Sequence, residues 1–433
     1  MVRIREERPG EKSEGGTGMK KILTLMLAVL VAGAVFAGGG QESGDDGTQE
    51  LVINSYMSDQ APKEAFEALV ADFEEKNPGI SVTVNTTAHE QFKTLLPNWL
   101  TSRQAPDVVT WFAGYRMQAF AERGLLEPIG SAFPNNAFAA QFPDAFQKAS
   151  SYDGDIYFLP QSWYWWAVYY NTEVFDRLNL NPPKTWEEFL QVSETLKQNN
   201  IAPIAIGAKD TWTAGGWFDY LNSAINGMDF HVDLTAGKVS YTDPRVVETF
   251  QTFADLNQRG YIMDNATSYS WQEAATLLFN GEAGMYLMGQ FIKDVAPEDV
   301  KSKIDFFTFP SFGRSGYAVD TPIDGYMVPK NATNKEAAMK FMAYLATPEA
   351  QALFTVPLGR LAANKNVPVP NEDAQKGLDM VLGAEGAMQF YDRDAPEEMA
   401  AKGMNAILDA MQNPGDISEI LANLDRERER IYR

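Results

Sequence analysis

Cysteine and histidine, the side chains most often used as nucleophile and general base, are scarce in this sequence. Of its 433 residues none is cysteine and two are histidine, His89 and His231. Without cysteine there is no thiol nucleophile, no thiolate metal site and no disulfide. A Ser-His-Asp triad would need one of the two histidines, which lie far apart in sequence. Neither "HEQFK" nor "DFHVD" has the pairing of a helical two-histidine zinc site. His231 follows an aromatic residue, lacks ligand-like neighbours and is read as structural. No metal site is expected. "GSAFPNN" and "GQFIKD" lack the glycines and lysine of a phosphate-cradling loop, and no cofactor is expected. Carboxylates are abundant, so a glycosidase pair stays open on composition, but nothing marks two of them out.

The aromatics are what stand out. In "QSWYWWAVYY", six of the eight residues from Trp163 to Tyr170 are aromatic. Trp111 ends the run "DVVTW". Trp212 and Trp217 lie in "KDTWTAGGWFDY", read as a glycine-rich loop after a strand. Phe291 follows Gly289, and Phe390 and Tyr391 sit in "AMQFYDRD". Asp210, Gln290, Asp392 and Arg393 neighbour these rings. Sugars present apolar C–H faces that stack on aromatic rings, and hydroxyls that need Asp, Asn, Gln or Arg partners. In open α/β sheets ligands bind outside the carboxyl ends of strands, where several of these rings are expected. Rings with acids would also suit a polyamine through cation–π contact. Tyr169 and Tyr170 could serve a ferric ion, but adjacent strand residues point to opposite faces and do not readily chelate one metal.

The elements that must position these residues follow from periodicity. "ELVINSY" reads as a buried strand. In the helix "PKEAFEALVADFEEKNPG", Phe66, Leu69, Val70 and Phe73 share one face, Pro62 suits the first turn, and Asn77-Pro78-Gly79 ends it. "ISVTV", "EQFKTLLPNWLTS" and "PDVVTW" continue as strand, helix and strand, and this alternation argues for a parallel sheet covered by helices. Asp153-Gly154 reads as a turn. Thr185 to Glu188 form a capping-box sequence, "IAPIAIGA" a short buried strand, and Asp243-Pro244 a helix start. "KEAAMKFMAYLA" places Ala338, Phe341, Met342 and Leu345 on one face, and "LANLDRERERIYR" reads as a charged surface helix.

From Met19, "MKKILTLMLAVLVAGAVFA" has the basic start, apolar run and small-residue end of a Sec signal peptide, cleaved near Ala37. Residues 1–18 are polar and patternless, and 38–49 read as a Gly/acidic spacer. A lipid-anchored export signal would end in a cysteine, and Gly38 to Gly40 offer none. The expected location is therefore the periplasm, free of an anchor. The formal charge is −22; the first 37 residues hold six Lys/Arg against four Asp/Glu, which leaves −24 on the remainder. Such a surface repels nucleic acid and anionic lipid.

Five segments in order carry a resemblance over roughly 380 residues. They are "ELVINSY" with "FEEKNPGISV"; "APDVVTW" with "AERGLLEPI"; "GDIYFLPQSWYWWAVYYNTEVFDRL" leading into "PPKTWEEF"; "LFNGEAGMYLMGQF"; and "GYMVPKNATNKEAAMKFMAYLATPEAQ". Together they resemble the maltose-binding protein family, the extracytoplasmic sugar-binding components of ABC importers. The resemblance implies a type II periplasmic binding protein fold: two α/β lobes, three crossings between them, and ligand in the cleft. Projected here, one lobe spans about 50–160 and 310–325, the other about 161–309 and 326–433. It implies a monomer that delivers a mono- or oligosaccharide to membrane permease subunits and catalyses no reaction. Carried over by position, Trp111 and Phe291 match stacking tryptophans, Asp210 and Trp212 an acid and an aromatic, and Phe390 and Tyr391 an aromatic pair. Tyr164 stands four residues after Pro160, where maltose-binding protein has an acidic contact residue. Trp163 should also face the cleft, Asp324 lies at the third crossing, and Asp59, His89 and Glu90 are further candidates on the first lobe.

Overall fold

The computed structural model describes residues 48–314 and 316–433. The expected leader at 19–37 and most of the spacer lie outside the described residues. From Thr48 onward the chain folds as one unit built on two main sheets. Among the described residues no helix is long and apolar enough to cross a membrane.

The first sheet has six strands, in the order 361–362, 159–163, 323–327, 108–112, 49–55 and 80–86. Strand Gln49–Ser55 pairs in parallel with Ile80–Thr86 and with Val108–Phe112, as the strand–helix alternation implies. Beyond Val108–Phe112 the sheet turns antiparallel. Helix Gln60–Lys76 buries Pro62, Phe66, Leu69, Val70 and Phe73, the face that the spacing predicts. Ala338, Phe341, Met342 and Leu345 are likewise buried on helix Lys335–Leu345. Asp153 and Gly154 both take positive φ and turn a small hairpin.

The second sheet has four strands, in the order 304–307, 166–171, 283–289 and 202–204. Trp166–Asn171 is antiparallel to both neighbours, while 202–204 runs parallel to 283–289. Both expected helix starts are present. Thr185 and Glu188 form a reciprocal capping box, and the Asp243 side chain accepts from the Arg245 N–H with Pro244 at the first helical position.

The cores assign the lobes differently from the projected boundaries. Tyr326, Val328, Phe341, Leu345, Phe354 and Ala363 belong to the core of the first sheet, so residues 326–363 are first-lobe chain. Phe309 and Val319 belong to the second-lobe core, and Ala318–Asp320 pairs with Gly386–Met388 there. The chain therefore crosses between lobes near Trp163–Tyr164, between Asp320 and Ile323, and between Ala363 and Val369. The apolar face of Lys335–Leu345 was legible, but an apolar period is compatible with packing on either sheet and does not name the lobe.

One further difference concerns residues 209–220. The expected glycine-rich loop is the helix Trp212–Asn226, whose residues Thr213 to Ser223 are all buried. A helix buried on every side has no amphipathic stripe to betray it. Its two glycines are there for close packing: a Cβ on Gly216 would lie 2.8 Å from the Trp166 ring.

Candidate ligand-binding cleft

The elements converge on a chamber between the two sheets, enclosing about 120 Å³. The first lobe contributes carboxyl ends of strands. Tyr56 follows Gln49–Ser55, Phe112 ends Val108–Phe112, and His89 and Lys93 open the helix after Ile80–Thr86. Gln161 and Ser162 on strand Leu159–Trp163 and Asp324 on Ile323–Met327 form part of its lining. A bulge between Asp324 and Gly325 shapes this strand, and a Cβ on Gly325 would lie 1.9 Å from the Leu159 carbonyl oxygen. Only glycine permits that approach, which sets the position of Asp324.

The second lobe contributes rings. Trp166 begins its strand, Phe291 follows Ala283–Gly289, Trp212 and Trp271 are the first residues of their helices, and Phe390 precedes the short helix Tyr391–Asp394. The Ser270–Glu273 capping box fixes where the Trp271 helix starts. The rings meet mostly edge to face: Trp166 with Phe390 at 4.5 Å, Trp271 with Phe291 at 5.1 Å, Tyr164 with Phe291 at 5.3 Å and Trp166 with Trp212 at 5.9 Å. Edge-to-face contact leaves ring faces and edges free to line a cavity. Opposite them, Tyr56, His89 and Phe112 form a second group, with centroids 5.0–5.7 Å apart.

The polar groups of the chamber carry both signs. Asp324 Oδ1 lies 3.7 Å from Arg393 Nη1, and Arg393 Nη2 donates to the Tyr164 hydroxyl at 3.4 Å. The Arg393 guanidinium sits 3.9 Å from the Phe112 ring centre. Arg360 is ion-paired with Asp294. Burial raises the Asp324 carboxyl above the usual range, against the pull of Arg393, Arg360 and His89. Several buried polar atoms here have no protein partner: both side-chain polar atoms of Gln161, Ser162 Oγ, Trp166 Nε1, Asp324 Oδ1 and Arg393 Nη1. Buried polar groups are normally paired, so this concentration of unpaired ones is unusual.

Contacts close the cleft around the chamber. Arg116 of the first lobe donates to the Asp392 carbonyl at 2.8 Å and to its carboxylate at 3.2 Å, and Gln272 donates to Asp59 at 3.4 Å. A second cavity, of about 410 Å³, is lined by Trp111, Tyr115, Asp210 and Met404 and shares Lys93, Trp212 and Asp392 with the chamber.

Of the candidates read from sequence, Asp59, His89, Tyr164, Trp212, Phe291, Asp324, Phe390 and Arg393 line the chamber. Trp111, Glu90 and Asp210 line the second cavity. Four candidates lie elsewhere. Trp217 is fully buried in the second-lobe core, stacked on Phe253. Tyr391 is fully buried too, its hydroxyl bonded to that of Tyr241. Trp163 donates its indole N–H to the Ala362 carbonyl, and Gln290 donates to the Leu358 carbonyl; both tie chain segments together. Phe390 and Tyr391 are adjacent residues turned to opposite sides, which ring content alone does not reveal. Tyr56, Phe112, Gln161, Ser162, Trp271 and Arg360 were not singled out as site residues, and of the alternatives Trp165 and Trp166 it is Trp166 that lines the chamber. Trp271 had a legible signal, since "SWQE" is a capping box that exposes a Trp at a helix start. Arg360 and Gln161 have none, being ordinary residues brought in by strand pairing.

Residues 58–352 match the profile of the bacterial extracellular solute-binding proteins. An uncharacterized ABC transporter extracellular-binding protein of Pyrococcus horikoshii is 27% identical over 367 residues, covering 82% of this chain and 81% of its own. A "probable sugar-binding periplasmic protein" of Rhizobium meliloti is 27% identical over 333 residues, 72% and 76% of the two chains. Among solved structures, the bacterial solute receptor AcbH superposes with a TM-score of 0.84 at 32% identity, over 89% of this chain and 100% of its own. It is described as having an exclusive substrate preference for β-D-galactopyranose. A chitin oligosaccharide binding protein shares the fold, with a TM-score of 0.81 at 23% identity over 89% and 99% of the two chains.

Proposed function

This chain belongs to the bacterial extracellular solute-binding proteins, and from that premise we propose that its cleft captures a neutral sugar and presents it to the permease of an ABC importer. The observation that carries the reading is the chamber's composition: aromatic rings on two sides, with buried, unpartnered donors and acceptors of both signs between them. A sugar ring satisfies both halves of this surface, its C–H faces against the rings and its hydroxyls against Gln161, Ser162, Asp324 and Arg393. A polyamine does not. Of the four carboxylates in the lining, Asp294, Asp324 and Asp392 already face Arg360, Arg393 and Arg116, which leaves Asp59 alone to meet a polycation. The enclosed volume of about 120 Å³ corresponds to roughly ten water-sized spheres, on the scale of one hexose ring.

The protein binds and releases its ligand without turnover. Asp294 is committed to Arg360, Asp324 faces Arg393 and Asp392 is paired with Arg116, so Asp59 is left without a second free carboxylate in the lining for glycoside hydrolysis. Closure of the lobes over the sugar is the signal a permease would read. The leader expected at 19–37 places the protein in the periplasm, and the acidic chain acts there as a monomer, without affinity for nucleic acid.

The test is a thermal-shift and calorimetric screen. D-galactose, suggested by AcbH, is the first ligand, followed by other neutral hexoses, their disaccharides and spermidine. A sugar should raise the melting temperature and bind stoichiometrically. Heat with spermidine alone, or release of product from a disaccharide, would sink the reading.

A further inference from the structure

Asp324 and Arg393 reach the chamber from different lobes. Asp324 is on a strand of the first sheet, paired opposite Phe112 and Ser162. Arg393 is on the short second-lobe helix Tyr391–Asp394. The gap of 3.7 Å between Oδ1 and Nη1 is an ion-pair distance too long for a hydrogen bond, and both atoms are buried without a hydrogen-bond partner. The guanidinium cannot easily move to close the gap. It is held against the Phe112 ring at 3.9 Å, and its other terminal nitrogen is engaged with Tyr164. A buried charge pair without completed hydrogen bonds is costly, and the cost is relieved if a third group with one donor and one acceptor lies to one side, within reach of both. A hydroxyl is such a group.

We propose that Asp324 and Arg393 grip one and the same ligand hydroxyl from opposite lobes: Arg393 Nη1 donates to the hydroxyl oxygen, and the hydroxyl donates its proton to Asp324 Oδ1. The inference rests on the sugar reading above and sharpens it. The pair becomes the determinant that demands a hydroxyl at one position of the ring, while the aromatics accept any sugar of suitable outline. Because the two residues belong to different lobes, the same hydroxyl also links them in the closed form.

The experiment takes whichever of D-galactose, D-glucose and D-mannose stabilises the full chain most, with the complete set of its monodeoxy and monodeoxyfluoro analogues. Affinities are measured by calorimetry for the wild type and for Asp324→Asn, which keeps the shape of the side chain. In the wild type, removal of one particular hydroxyl should weaken binding by roughly a thousandfold or more, because a site built to hydrogen-bond a hydroxyl strongly rejects the analogue that lacks it. Fluorine at that position should restore little, since it cannot donate to Asp324. In Asp324→Asn the same deoxygenation should cost roughly tenfold or less, the two losses being non-additive as expected for groups in contact. If every deoxygenation costs the same factor in the variant as in the wild type, the two residues do not share a hydroxyl and the inference fails while the sugar reading stands. If no sugar binds the wild type, the sugar reading fails and the inference falls with it. Melting of the ligand-free variant reports separately on folding, and Arg393→Lys, which keeps the charge but loses the fork, should show the same collapse of the single large penalty.

Discussion

Trp212 presents its ring to the chamber, 5.9 Å from Trp166 and 6.3 Å from Phe291, whereas Trp217 on the same helix stacks on Phe253 in the core. Their replacement should therefore separate binding from stability. Trp212→Ala is expected to weaken sugar binding roughly tenfold or more, with little change in ligand-free melting. Trp217→Ala should cost about 3–5 kcal/mol of stability in urea unfolding, as does loss of a buried aromatic elsewhere. Tyr391→Ala belongs with Trp217, since Tyr391 is enclosed by core residues and fills the space above Gly403. His231 gives a second residue-scale prediction. Burial lowers its pKa to about 4, below the ordinary 6.5. Its neighbour Asp219, 3.6 Å away, has its pKa raised by burial and by Asp320. The unfolded chain takes up the proton first as pH falls, so stability is present above about 6.5 and is lost progressively towards 4, by about 3 kcal/mol for this group. His231→Gln should flatten that part of the stability–pH curve; an unchanged slope would show that His231 is not its source.

At the scale of elements, two capping boxes of the same kind have different consequences. Thr185 and Glu188 start a helix away from the chamber, while Ser270 and Glu273 start the one whose first residue is Trp271. Thr185→Ala and Ser270→Ala should each lower stability by about 1 kcal/mol. Only Ser270→Ala should also weaken sugar binding, since fraying there releases Trp271 from Phe291. Equal affinity losses in the two variants would mean that the Trp271 contact is not set by its cap. Both boxes were legible in the sequence, because the S/T-x-x-E pattern is local. The bulge at Gly325 was not, because its cause is the Leu159 carbonyl on a paired strand.

At the scale of the whole molecule, binding depends on how the lobes meet. The Arg116–Asp392 and Gln272–Asp59 contacts span the cleft, and Asp59, Gln272 and Asp392 also line the chamber. They are partly solvent-exposed, so each contributes modestly. Arg116→Gln should speed sugar release a few-fold and leave the association rate almost unchanged, read by stopped-flow tryptophan fluorescence. A faster release that high salt reproduces in the wild type would identify the ion pair as the cause.

What the sequence determined by itself was local or cumulative: the strand–helix alternation of the first lobe, the amphipathic faces of Gln60–Lys76 and Lys335–Leu345, the helix caps, and an ordered series of segments sufficient to place the chain in its family. The aromatic run from Trp163 to Tyr170 was visible as an excess of rings, and its division only in part: Tyr164 was expected at the cleft, Trp163 was too but ties to Ala362 instead, and Trp165 and Trp166 stood as alternatives. Tyr164 and Trp166 line the chamber, while Trp165 packs against Gly377 and Phe306 in the core. Hydrophobic patterning records burial, and residues facing a closed cleft are as buried as residues facing a core. Only the tertiary structure decides between the two. It also decided that residues 326–363 return to the first sheet, and that Asp324 and Arg393 come from separate lobes to one place. Those facts depend on strand pairing between distant segments, which no local period encodes.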